Sequence, residues 1–166
     1  VIAAQTIIQH VHDGVELGKK YRLPPRLMDF MREHHGTQIT RYQYNRALQI
    51  QGNDPEKVDI ELFRYPGPKP QTRETGILML ADGCEARARA ELPKNEVELE
   101  VIIQKVFDYI MKENLLENTN LTLHDLKKIK ESFINTLSNT YHPRIQYPEI
   151  KPLTDKSEVT TQSEKP

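Results

Sequence analysis

Two adjacent histidines, His34 and His35, close a segment that reads as a short amphipathic helix from Pro24 to Glu33, and they run directly into Gly36-Thr37. Imidazole is the commonest metal-binding side chain, and a pair of them at a helix end beside a flexible turn is suited to share a ligand. A third histidine, His10, belongs to the preceding helical segment. A carboxylate, Asp82, follows the apolar run Ile77-Leu78-Met79-Leu80-Ala81. Together they read as a polar cluster drawn from separate segments, part of a metal-dependent hydrolase site.

Each member also has an ordinary role open to it. His10 lies three residues after Ile7 and four before Gly14, bordering an apolar face, so it is expected to be at least partly buried, as hydrogen-bonded core histidines are. His34 and His35 would suit any helix C-terminus, where imidazolium meets the negative end of the dipole. Asp82 is the sharper case, because a lone ionised carboxylate among buried neighbours is costly unless a cation compensates it. That cation would be a metal or an arginine, Arg87 or Arg89.

The elements that must position these residues are helices and turns throughout. Ile7, Val11, Gly14, Gly18 and Tyr21 recur at helical spacing and predict a helix over 2–20, ended by Leu23-Pro24-Pro25. Pro25 can open a second helix, since the N–H it lacks has no partner in a first turn; Leu27, Phe30 and Met31 are expected to face inward. A third helix is expected over 41–51, broken by Gly52-Asn53-Asp54-Pro55. The stretch Phe63-Arg64-Tyr65-Pro66-Gly67-Pro68-Lys69-Pro70-Gln71 is too basic and aromatic for a flexible linker and reads as a shaped loop. A buried helix should follow from Thr72 to about residue 90. Asn95 with Glu98, and Thr122 with Asp125, make capping pairs for two more helices, the last striped by Leu123, Leu126, Ile129, Phe133 and Leu137.

At 166 residues and 37% hydrophobic the chain can bury a single core. A net charge of -1 provides no global positive field for a DNA or RNA polymer. The single cysteine, Cys84, cannot form an internal disulfide, which points by default to an intracellular setting. The longest apolar run falls far short of the ~20 residues a membrane span needs, and no signal-peptide pattern opens the chain, so the segment is expected to be soluble. It begins without Met and in what looks like a helix interior, so a piece of a longer protein is expected. The division expected is 1–148 as the folded portion and 149–166 as a polar, disordered tail.

Taken in order, several strings form a recognisable pattern: His10-Val11 with Gly14, Leu23-Pro24, His34-His35-Gly36-Thr37, Tyr42 and Tyr44, and the run from Phe63 to Glu74. Met79-Leu80-Ala81-Asp82 with Glu85-Ala86 and Tyr141-His142-Pro143-Arg144-Ile145 with Tyr147-Pro148 complete it. This resembles the cytoplasmic HD domain of the seven-transmembrane receptor HD family, of the PgpH type, in its C-terminal part. The resemblance implies an all-α, HD-domain-like helical bundle, N-terminally truncated here. It also implies hydrolysis of cyclic di-AMP to pApA at a two-metal centre of manganese or iron, in the cytoplasmic domain of a bacterial plasma-membrane signalling protein.

Carried over by the same resemblance, His10, His34 and His35 would bind one metal and Asp82 the other. A further histidine and the His-Asp pair that names the domain would lie before residue 1, so the fragment alone is expected to be inactive. The missing N-terminal half of the domain and the membrane-spanning region are thus its implied partners, along with the cyclic dinucleotide. His12-Asp13 spells the naming dipeptide at the wrong place, although Asp13 could orient His10 from a turn away. Around the centre, Arg64, Lys69 and Arg73 could pair with a phosphate of the dinucleotide, and Tyr42, Tyr44 or Tyr65 could stack on adenine. Two alternatives stand beside this: a non-catalytic cyclic-dinucleotide-sensing helical module, and a cyclic di-GMP phosphodiesterase like the HD-GYP group. Against the latter, Tyr65-Pro66-Gly67 holds the glycine, tyrosine and proline in another order.

Overall fold

The computed structural model describes residues 1–141; the tail expected at 149–166 and the motif from His142 to Pro148 lie outside them. Among the described residues the fold is all-α, with α1 (Ile2–Lys20), α2 (Pro25–Glu33), α3 (Arg41–Ile50), α4 (Arg73–Glu91), α5 (Glu96–Lys112) and α6 (Leu123–Tyr141). Two 3-10 turns, Pro55–Lys57 and Ile60–Phe63, lead into the proline-rich loop. The boundaries follow local chemistry. Pro25 occupies the first turn of α2. Thr72 caps α4 rather than opening it, in a reciprocal arrangement with Thr75. The Asn95 side chain accepts the Glu98 N–H at the start of α5, and the Thr122 hydroxyl accepts the Asp125 N–H while the Asp125 carboxylate accepts the Thr122 N–H at the start of α6.

The main core is the α4–α5–α6 layer, where Met79, Leu80, Cys84, Leu99, Ile103 and Ile110 are buried, with Ile129, Phe133 and Leu137 of α6 packed over them. A smaller cluster joins Ala4 of α1 to Val58 and Phe63, with Tyr44, Ala47 and Leu48 against it. α1 packs on α2, and α2 on α4. Gly18 permits the first of these contacts, since a Cβ there would stand 3.3 Å from the Met28 side chain. From that close approach the two helices run antiparallel, with Gly14 near Met31 and His10 beside His34.

Five positions are more open than their apolar character predicted: Ile7, Tyr21, Leu27, Leu78 and Leu123 are all exposed. The buried stripe of α1 consists instead of Ala4, Val11, Val15 and Gly18.

Candidate metal centre

His10 on α1 and His34 at the C-terminal cap of α2 turn their rings toward each other, with Nε2 to Nε2 separated by 3.3 Å. Both rings are held from behind. His10 Nδ1 meets the Ile7 carbonyl, and His34 Nδ1 lies 3.0 Å from the Met31 carbonyl. A carbonyl oxygen can only accept, so each Nδ1 carries a proton and each Nε2 faces the other ring. Two lone pairs at that distance repel unless a proton or a cation lies between them. Nitrogens each about 2.1 Å from one metal ion stand roughly 3.0–3.4 Å apart at ordinary ligand angles, which is the separation found.

His35 completes the group, and one ring nitrogen from each of His10, His34 and His35 falls within 4.8 Å of the others. Its side chain is only 19% exposed, and its Nδ1 lies 3.7 Å from Asp82 Oδ2. Burial, reinforced by the neighbouring His34 and His10, pushes the His35 pKa down to about 3, so this imidazole is neutral at physiological pH. Tyr65, from the proline-rich loop, stacks on His35 with ring centroids 4.3 Å apart. Gly36 lets the chain turn away immediately after the pair. Its φ is +52°, and a Cβ there would stand 2.8 Å from Met79 Cε of α4.

The residue types fit a borderline divalent metal: three imidazoles with a carboxylate alongside. Two sequence expectations about them need correction. His10 is exposed rather than partly buried, because α1 presents it at the open edge of the cluster. Asp82 does not lie in an enclosed apolar setting: its side chain is 44% exposed, although burial, the largest influence, still raises its pKa. Neither arginine forms an ion pair with it, since Arg87 pairs with Glu91 and Arg89 with Glu85, although the Arg89 charge still acts to lower its pKa. Asp13 does not orient His10 either; it accepts a hydrogen bond from Gln9 instead.

The residues suggested for substrate contact are dispersed. Arg64 pairs with Glu61 and donates to the Thr37 carbonyl, Lys69 pairs with Glu117, and Arg73 with Asp125. Tyr44 packs edge-on against Phe63, and Tyr42 is 71% exposed. Tyr65 is buried against the histidines, so its ring face is already occupied. Sequence reasoning overlooked Glu33, a carboxylate only 5% exposed and immediately before the pair. An acidic residue in the last turn of a helix is disfavoured by the dipole and was the available signal.

No family model matches the chain, but individual proteins do. It is 31% identical over 148 residues to a cyclic-di-AMP phosphodiesterase PgpH of Bacillus subtilis and 34% identical over 149 residues to one of Listeria monocytogenes, covering 89% and 87% of this chain. An uncharacterized protein of Synechocystis is 35% identical over 150 residues. The fold agrees: the crystal structure of the L. monocytogenes PgpH HD domain in complex with cyclic-di-AMP superposes with a TM-score of 0.76 at 29% identity over 83% of this chain. The chain is a homologue of the PgpH-type HD domain. It spans 20% of the length of each of those PgpH relatives and 63% of the solved HD-domain chain. A second crystal structure of that PgpH HD domain superposes almost as well, with a TM-score of 0.75. Among the described residues no helix is long and apolar enough to cross a membrane.

Proposed function

We propose that this chain is part of an HD domain that hydrolyses cyclic di-AMP to pApA at two divalent metal ions, manganese or iron, held in part by His10, His34, His35 and Asp82. The observation that carries this is the pair of opposed Nε2 atoms 3.3 Å apart, in a chain homologous to a domain solved with cyclic-di-AMP. When bound, such ions would supply Lewis acidity to the phosphodiester oxygens and lower the pKa of an attacking water.

The chain's own residues prepare that chemistry. The Ile7 and Met31 carbonyls fix the tautomers of His10 and His34 so that both Nε2 atoms are free to ligate. Tyr65 and the low pKa of His35 keep the third imidazole oriented and neutral. Asp82 offers an anionic oxygen beside it. Lys69, Arg64 and Arg73 would have to exchange their carboxylate partners to pair with the dinucleotide phosphates, and the exposed ring of Tyr42 leaves a face open for a base. The rest of the centre, and the membrane region of a bacterial signalling protein to which this domain would be tethered, belong to the whole protein.

Turnover assays on the complete HD domain carrying this segment test the proposal. Cyclic di-AMP should be converted to pApA in the presence of Mn²⁺, faster than cyclic di-GMP is cleaved, and chelation should stop the reaction. Tight binding of cyclic di-AMP without turnover under these conditions would mark a sensor instead.

A further inference from the structure

We propose that Glu33 is a positioning residue that sets the histidines of α2 against Asp82 of α4; this rests on the metal-centre reading above. Its carboxylate oxygen Oε2 accepts two hydrogen bonds from α4's first turn and its approach, the Gln71 N–H at 2.8 Å and the Thr75 hydroxyl at 2.6 Å. Among the described residues no cation pairs with it at ion-pair distance. A buried carboxylate without a counter-charge persists only where donors and dipoles stabilise it. Glu33 stands at the unfavourable end of its own helix, but at the N-terminus of α4, where a negative charge is favoured.

The geometry along α4 gives the clasp its purpose. Thr75, Met79 and Asp82 are spaced four and then three residues apart, so they form one stripe on a single helix face. Thr75 holds Glu33, Met79 lies under Gly36, and Asp82 faces His35. The last turn of α2 is therefore fastened to α4 at one end of the stripe and presents its imidazole to Asp82 at the other. Since Thr75 and Asp82 are about 10 Å apart along the axis, Glu33 cannot touch a metal held at the histidines and would act only through placement.

The test is Co²⁺ titration of the complete HD domain, followed by the visible absorption bands that report ligand geometry. Glu33→Leu, which keeps the bulk and removes the acceptor, should weaken Co²⁺ binding about 10- to 100-fold and alter the bands. Thr75→Val, which removes a single hydroxyl, should move both in the same direction and serves if the leucine variant does not fold. Glu33→Gln retains a carbonyl oxygen able to accept both bonds and should restore affinity to within about threefold of wild type. Folded Leu and Val variants with wild-type affinity and spectrum would overturn the clasp alone. Failure of the wild-type domain to take up Co²⁺ would overturn the metal-centre reading, and the clasp with it.

Discussion

His10 and His34, twenty-four residues apart, confront each other through their Nε2 atoms at 3.3 Å, each ring steadied by a carbonyl of its own helix. With neither a proton nor a metal ion between them the two nitrogens repel, and a shared metal ion makes the arrangement favourable. A divalent metal should therefore stabilise the folded domain. At a hundredfold excess over its dissociation constant, a bound metal adds about 2.7 kcal/mol. Thermal unfolding of the complete domain with and without chelator should show this shift, and His10→Ala should shrink it.

Tyr65 stabilises the same site from the side. Tyr65→Phe keeps the ring that stacks on His35 and should leave metal affinity nearly unchanged. Tyr65→Ala removes the stack and opens a cavity at a buried position, costing about 3 kcal/mol of stability and weakening metal binding. Urea denaturation and metal titration of the two variants, compared directly, separate the effects.

Gly36→Ala carries two penalties, a left-handed backbone and a clash with Met79 Cε at 2.8 Å. Together they should destabilise the domain by about 1–3 kcal/mol. A denaturation midpoint indistinguishable from wild type would show that the turn does not depend on this close approach.

Asp125 provides a pH-dependent prediction away from the histidines. Hydrogen bonds from the Thr122 hydroxyl and N–H, with the Arg73 guanidinium beside them, lower its pKa from 3.8 to about 2. A carboxyl group whose pKa falls on folding contributes stability above its unfolded value, and that contribution disappears as pH drops from about 3.8 through about 2. Asp125→Asn should flatten the stability profile across that interval. NMR titration of the Asp125 carboxyl in the folded protein should find the lowered midpoint.

Much of this was legible in the chain. The capping signatures at Asn95 and Thr122 and the proline at position 25 fixed helix starts because they act within four residues. The His-His-Gly string announced a helix end with a turn, and its likeness to the HD family supplied His10 and Asp82 as companions. What local pattern could not supply was the environment of each side chain. Asp82 looked enclosed because the residues before it are apolar, yet helical rotation carries it to a half-open face. Glu33 and Tyr65 acquire their roles from contacts with residues more than thirty positions away or from a separate loop, which no periodicity encodes.

The most direct test is the metal content of the purified complete HD domain, compared among wild type, His34→Ala and Asp82→Ala. Bound divalent metal in the wild type and a marked loss in both variants is the predicted result. Equal metal content in all three proteins would contradict the assignment of these side chains as ligands.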